Sequence, residues 1–168
     1  MKVLVAYMSS TGNTKKVADA IYGQIDCEKE IKPIAEVQDI GSYDLSFLGF
    51  PTHGSGPDKK TRQLLAKHCT EGRNVALFVT HASPEDAPEV PGSMGRFKEA
   101  AAGANVVGCF DCRGELAKGV KVIMRISPNK QLRTWAKIDD SMGQPDASRL
   151  EKARAFAKET VARFKSEG

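Results

Sequence analysis

Residues Lys2-Val3-Leu4-Val5-Ala6-Tyr7-Met8 form a nearly continuous apolar run that ends at once in Ser9-Ser10-Thr11-Gly12-Asn13-Thr14, a turn of hydroxyls and amides. An apolar run without alternation predicts a strand buried on both faces, as inside a parallel sheet. Beyond the turn, Val17, Ala18, Ile21, Tyr22 and Ile25 recur at helical spacing, with Lys15, Lys16, Asp19 and Gln24 on the other face. A strand feeding straight into an amphipathic helix points to folds in which helices cover a parallel sheet.

The rest of the chain repeats the alternation. Ile31 to Val37 reads as a weaker strand, and Tyr43 to Phe50 as a stronger one that stops at Pro51. From Asp58 to about Cys69 the pattern is helical, with Asp58 as N-cap and Leu64, Leu65 and His68 facing inward. Asn74 to Thr80 is the clearest buried strand. The segment from Ala82 to Gly92 carries Pro84, Pro88 and Pro91 and reads as a loop, after which Ser93 opens a short helix through Met94, Phe97 and Ala101. Asn105 to Phe110 is a fifth strand. Leu150, Ala153, Ala157, Val161 and Phe164 stripe a terminal helix, with Ser148 and Glu151 as its capping box. Five strands alternating with helices predict a single α/β domain with helices on both faces of the sheet. The excursion at about 115–146 shows no clean periodicity, and a connection of that length usually has a function.

Composition narrows the function classes. At 168 residues the chain fits one domain that needs no staples. No apolar run approaches the roughly 20 residues needed to cross a bilayer, so no membrane role is expected. The amino terminus is too short for a signal-peptide core, and the four cysteines are too sparse for a disulfide framework; a cytoplasmic location is the expectation. The net charge of +4 is mild but uneven: Lys118, Lys121, Arg125, Lys130, Arg133 and Lys137 share a segment without one acid. With Trp135 as its lone aromatic, that segment lacks the stacking platform of a nucleic-acid surface, so no nucleic acid is expected. Three readings fit it: a solvated surface loop, a docking face for an acidic partner, or part of a dimer contact.

The turn after strand 1 carries the chemistry. It supplies hydroxyls from Ser9, Ser10, Thr11 and Thr14, the amide of Asn13, and backbone N–H groups at a helix N-terminus whose dipole favours an anion. Gly12 allows close approach of the backbone. Neither the mononucleotide P-loop nor the Gly-x-Gly-x-x-Gly fingerprint is present. Hydroxyls and amides in place of a lysine suit a phosphate monoester that is bound and not transferred.

Strand, Ser-x-Thr-Gly-Asn-Thr, then amphipathic helix resembles the flavodoxin family, and the likeness extends through strand count, loop positions and terminal helix. The resemblance implies a flavodoxin-like three-layer sandwich with a five-stranded parallel sheet in the order 2-1-3-4-5, and FMN as cofactor with its phosphate on Ser9, Ser10, Thr11, Gly12, Asn13 and Thr14. It further implies that the flavin ring lies between Pro51, Thr52, His53, Gly54, Ser55 and Gly56 on one side and Thr80, His81, Ala82 and Ser83 on the other. Cys112, Arg113 and Gly114 would border it. Flavodoxins commonly stack an aromatic residue on the ring from each loop, and this chain offers His53 and His81 there. The Cys109-x-x-Cys112 spacing opens no predicted helix and has no second Cys/His pair, so it reads as a binding-edge turn in preference to a dithiol or zinc site. The leading expectation is an electron carrier that serves redox protein partners. The alternatives are an FMN-dependent NAD(P)H oxidoreductase and a flavin-free interaction module.

Overall fold

The computed structural model describes residues 1–167. Five parallel strands, β1 (Lys2–Tyr7), β2 (Glu28–Pro33), β3 (Leu45–Pro51), β4 (Asn74–His81) and β5 (Asn105–Arg113), form one sheet in the order β2-β1-β3-β4-β5. The crossover helices are α1 (Asn13–Gln24), α2 (Lys59–His68) and α3 (Glu89–Ala100). Then come α4 (Lys118–Ile126), α5 (Lys130–Ile138) and the long α6 (Ala147–Glu167).

Strand alternation divides the apolar residues between two cores. Val3, Val5, Phe47 and Phe78 point into the layer under α1 and α6, where Ile21, Ala153 and Ala157 meet them. Leu4, Ala6, Leu48, Phe50 and Leu77 point into the opposite layer with Leu65 and Phe97. The inner strands β1, β3 and β4 are buried on both faces, which is why they read as continuous apolar runs.

Five local expectations need correction. β5 runs past Phe110 to Arg113, so Cys109 to Cys112 is strand paired with β4 and not a turn. β2 starts earlier than Ile31, at Glu28, and gives way at Ile34 to a short 3-10 turn; its edge position leaves room for charge, since Glu30 bonds Lys2 and Lys32. α3 begins at Glu89, before Ser93, because Pro91 falls in its first turn, where a missing N–H costs nothing. α6 is capped by Asp146 in place of Ser148: its carboxylate accepts from the N–H of Arg149 at 3.0 Å. The aperiodic excursion holds two helices, α4 and α5, whose apolar residues mostly face outward. Among the described residues no helix is long and apolar enough to cross a membrane.

Candidate functional site

Parallel strands deliver their following loops to one edge of the sheet, and the connections after β1, β3, β4 and β5 meet there. Gly12 has φ +91, a left-handed conformation that reverses the chain into α1 and would strain any L side chain. Ser9 Oγ accepts from the Gly12 N–H at 3.1 Å, which closes the turn. The Asn13 amide donates to the Glu115 carbonyl at 2.8 Å, and the buried Thr14 hydroxyl lies 2.8 Å from that of Thr80. No side chain among the described residues caps α1. Its first-turn N–H groups therefore stand at the positive end of the helix dipole beside the exposed Ser10 and Thr11, a cradle of anion-binding character.

The loop after β3 is a tight tip. Pro51 ends β3 opposite Thr80, and the Thr52 N–H donates to the Thr80 carbonyl at 2.8 Å. His53 and Gly56 pair across the tip, Gly54 turns it at φ +64, and Arg96 donates to the Ser55 carbonyl at 2.6 Å. His53 is half exposed, 3.8 Å from Asp58. The Thr61 backbone N–H holds the Asp58 carboxyl below the usual carboxylate range. Thr52 Oγ1 is buried without a partner among the described residues.

The loop after β4 is differently built. His81 turns inward, with Nδ1 2.9 Å from the Ser83 carbonyl and Nε2 3.2 Å from the Asp111 carboxylate, so both nitrogens fix the ring. Beside it lies a cavity of about 20 Å³ lined by Thr52, Val79, His81, Ser93 and Asp111, room for about one water. Ser93 Oγ, buried there, has no partner among the described residues. Ala82 packs on the cluster of Leu116, Met124 and Ala136, as Trp135 does, which attaches the α4–α5 hairpin to this loop.

At the end of β5, Cys112 is buried under α1 and α6, and burial pushes its thiol up to about 12. Cys109 packs in the opposite layer, as a three-residue step along a strand requires, so the two sulfurs are parted by the sheet. Arg113 pairs with Asp140. The Gly114 N–H donates to the His81 carbonyl at 2.7 Å, and a Cβ at Gly114 would meet the Asn13 side-chain nitrogen at 2.7 Å. Close approach therefore requires glycine there, and it joins the β5 edge to the first turn.

Ser9–Thr14, Thr52, Thr80–Ser83 and Cys112–Gly114 thus share one edge, linked by the bonds named above. Asp111, Ser93 and Glu115 join them; no motif marks any of the three as a site residue in the sequence, although Asp111 sits inside the Cys-x-x-Cys segment. Two wider clefts, about 560 Å³ beside α2 and about 600 Å³ between β5 and α6, are surface grooves without a residue of the first turn. The converging polar groups locate the site better than cleft size does.

A profile of the flavodoxin domain matches residues 4–158. The flavodoxin-like domain-containing protein BilS of Clostridioides difficile (strain CD3) is 33% identical over 169 residues, covering 94% of this chain and 95% of BilS. A flavodoxin from the domain Archaea superimposes over 98% of this chain and 99% of its own, with a TM-score of 0.62 at 15% identity. A Lactobacillus acidophilus flavoprotein solved in complex with FMN has a TM-score of 0.55 at 24% identity, over 66% of this chain and 92% of its own. At such identities the two structural likenesses speak to fold. Because the matched profile runs through nearly the whole chain and takes in all the converging loops, this chain belongs to the flavodoxin family.

Proposed function

We propose that this chain is an FMN-binding electron carrier that serves redox protein partners. FMN is the cofactor of the family, and when bound it supplies one- and two-electron chemistry. The observation that carries the reading is the uncapped start of α1, braced by the Thr14–Thr80 and Asn13–Glu115 bonds. In this reading Ser9 to Thr14 hold the phosphate, while Pro51 to Gly56, Thr80 to Ser83 and Cys112 to Gly114 border the ring. The unpartnered Thr52 hydroxyl is available to a polar edge of the ring. His81, held by Ser83 and Asp111, offers a positioned imidazole. The cations between Lys118 and Lys137 would speed encounter with an acidic partner.

The test is an absorption spectrum of the purified protein before and after adding FMN. Flavin bands retained through gel filtration are expected; a colourless protein that binds no added FMN overturns the reading and makes the chain an interaction module. Potentiometric titration checks a finer expectation: with a net charge of +4, the second reduction potential is less negative than that of an acidic flavodoxin.

A second reading, an FMN-dependent reductase of small molecules, draws on the His81–Asp111 pair, because a fixed imidazole bonded to a carboxylate is suited to moving a proton. Steady NAD(P)H consumption by the purified chain alone would reverse the preference.

A further inference from the structure

Seven of the eight large apolar side chains that stand exposed among the described residues lie between positions 120 and 142; Met1 is the eighth. Ile126 is 78% exposed, Ile138 69% and Met142 82%. In α4 the helical period sets Val122 and Ile126 on the face opposite Met124, the residue that packs inward, and Ile123 on the exposed flank beside them. In α5 it sets Ile138 opposite the buried Ala136. The hairpin therefore attaches through a few apolar side chains and turns most of its valines and isoleucines outward. A patch so concentrated, rimmed by charge, marks an interaction site.

Its charges are specific as well. Lys121 is bound to Asp139, and Arg133 donates to the Ser127 and Pro128 carbonyls. Lys118, Arg125, Lys130 and Lys137 have no ion-pair partner among the described residues, and no acid lies between 118 and 137. The face also adjoins the candidate site. Its anchor residues pack on Ala82 of the loop after β4, and its root passes through Glu115, whose carbonyl holds Asn13.

We propose that the outward face of the α4–α5 hairpin is the docking surface for a protein partner with an apolar patch ringed by carboxylates, and that it brings this partner against the flavin-bearing edge. The proposal rests on the electron-carrier reading. A second copy of the chain fits less well, because a two-fold contact would set the four unpaired cations against themselves, and the nearby Asp139 and Asp140 are already paired with Lys121 and Arg113. An anionic bilayer also fits less well. Trp135, the aromatic that would anchor at headgroup depth, is held partly buried against the Leu116, Met124 and Ala136 cluster.

The test measures binding of the full chain to an immobilised acidic two-iron ferredoxin by interferometry. The variants are Ile123→Gln with Ile126→Gln, Lys118→Gln with Arg125→Gln, and the control Lys158→Gln on the exposed side of α6. Both double variants are expected to weaken binding about tenfold, and the control to leave it unchanged. Added salt should weaken the apolar variant as it does the parent, and the cation variant less. All the substituted positions are exposed, and far-UV circular dichroism verifies that the variants fold. No measurable binding by the parent chain, or the parent's affinity kept in both double variants, overturns the proposal. So does flotation with vesicles of phosphatidylcholine and phosphatidylglycerol in equal parts, lost in the Ile→Gln variant while ferredoxin affinity holds; that result assigns the face to lipid. A dimer by light scattering that this variant dissociates, with ferredoxin affinity unchanged, assigns it to a second copy. None of these measurements depends on flavin, so their failure is distinct from a failure to bind FMN.

Discussion

The five-stranded sheet and the α4–α5 hairpin dispose of their apolar residues in opposite ways. In the sheet, Val3, Leu4, Phe47, Leu48, Phe50 and Phe78 are all fully buried, shared between two layers with α1 and α6 on one side and α2 and α3 on the other. The hairpin buries only Met124 and Ala136 of its own residues, on Leu116 and Ala82, and leaves isoleucines in solvent. Burying a large apolar side chain is worth about 1.5–3 kcal/mol. The sheet collects that many times over and the hairpin hardly at all, so the sheet holds the fold and the hairpin is kept for something outside it. Beside the packing on Ala82, Arg113 to Asp140 ties it to β5, while Lys121 to Asp139 and the Leu116 N–H to Ser141 Oγ at 2.8 Å close the excursion on itself.

Four experiments probe that contrast. Phe47→Ala opens a cavity where the ring meets Phe156 edge-on, and is expected to cost about 3–5 kcal/mol in chemical denaturation followed by circular dichroism. Met124→Ala should cost about 2 kcal/mol locally. It should loosen the hairpin, seen as a red shift of Trp135 emission, with the sheet's midpoint nearly unchanged; an equal fall in both would show that hairpin and sheet unfold as one unit.

Gly12→Ala tests the first turn. A left-handed Ala costs about 1–2 kcal/mol, so the turn relaxes and FMN affinity, measured by fluorescence titration, is expected to fall roughly tenfold. The helical content should stay as it was.

The smallest effect is on pH. The Arg113 guanidinium holds the Asp140 carboxyl below its ordinary range. For Asp139, burial alone would raise it, but bonds from Lys121 and Ser141 outweigh burial and hold it low as well. A carboxyl with a depressed folded value contributes stability above its unfolded value and loses it as pH falls through the folded one. The hairpin should therefore release in a window below about pH 4. Trp135 emission should shift there before far-UV ellipticity changes; a coincident change would give hairpin and sheet one acid transition.

Most of the sheet was legible from local patterns. The apolar runs at Val3–Tyr7 and Asn74–Thr80 and the Asp58 cap each express a rule that acts within a few residues, and each appears in the structure. The start of α3 was hidden because three prolines read as a loop, whereas Pro91 sits where a helix needs no N–H. The hairpin was hidden for a different reason. Its helices show their apolar residues to solvent, so the inward stripe by which a helix is recognised is only Met124 or Ala136 wide.

The sequence by itself determined the alternation of strands and helices and the turn at Gly12, because periodicity and backbone sterics are local. It also determined that the cations from Lys118 to Lys137 lie together without an acid. Only the tertiary structure decided which polar groups meet at the sheet edge. Thr14 reaches Thr80 across 66 positions, and Asn13 reaches Glu115 across 102. The crossovers decide such contacts, and no window on the chain contains both partners. The same holds for the sheet that parts Cys109 from Cys112, and for the hairpin packed on Ala82, which brings an exposed apolar face to the edge where FMN is proposed to bind.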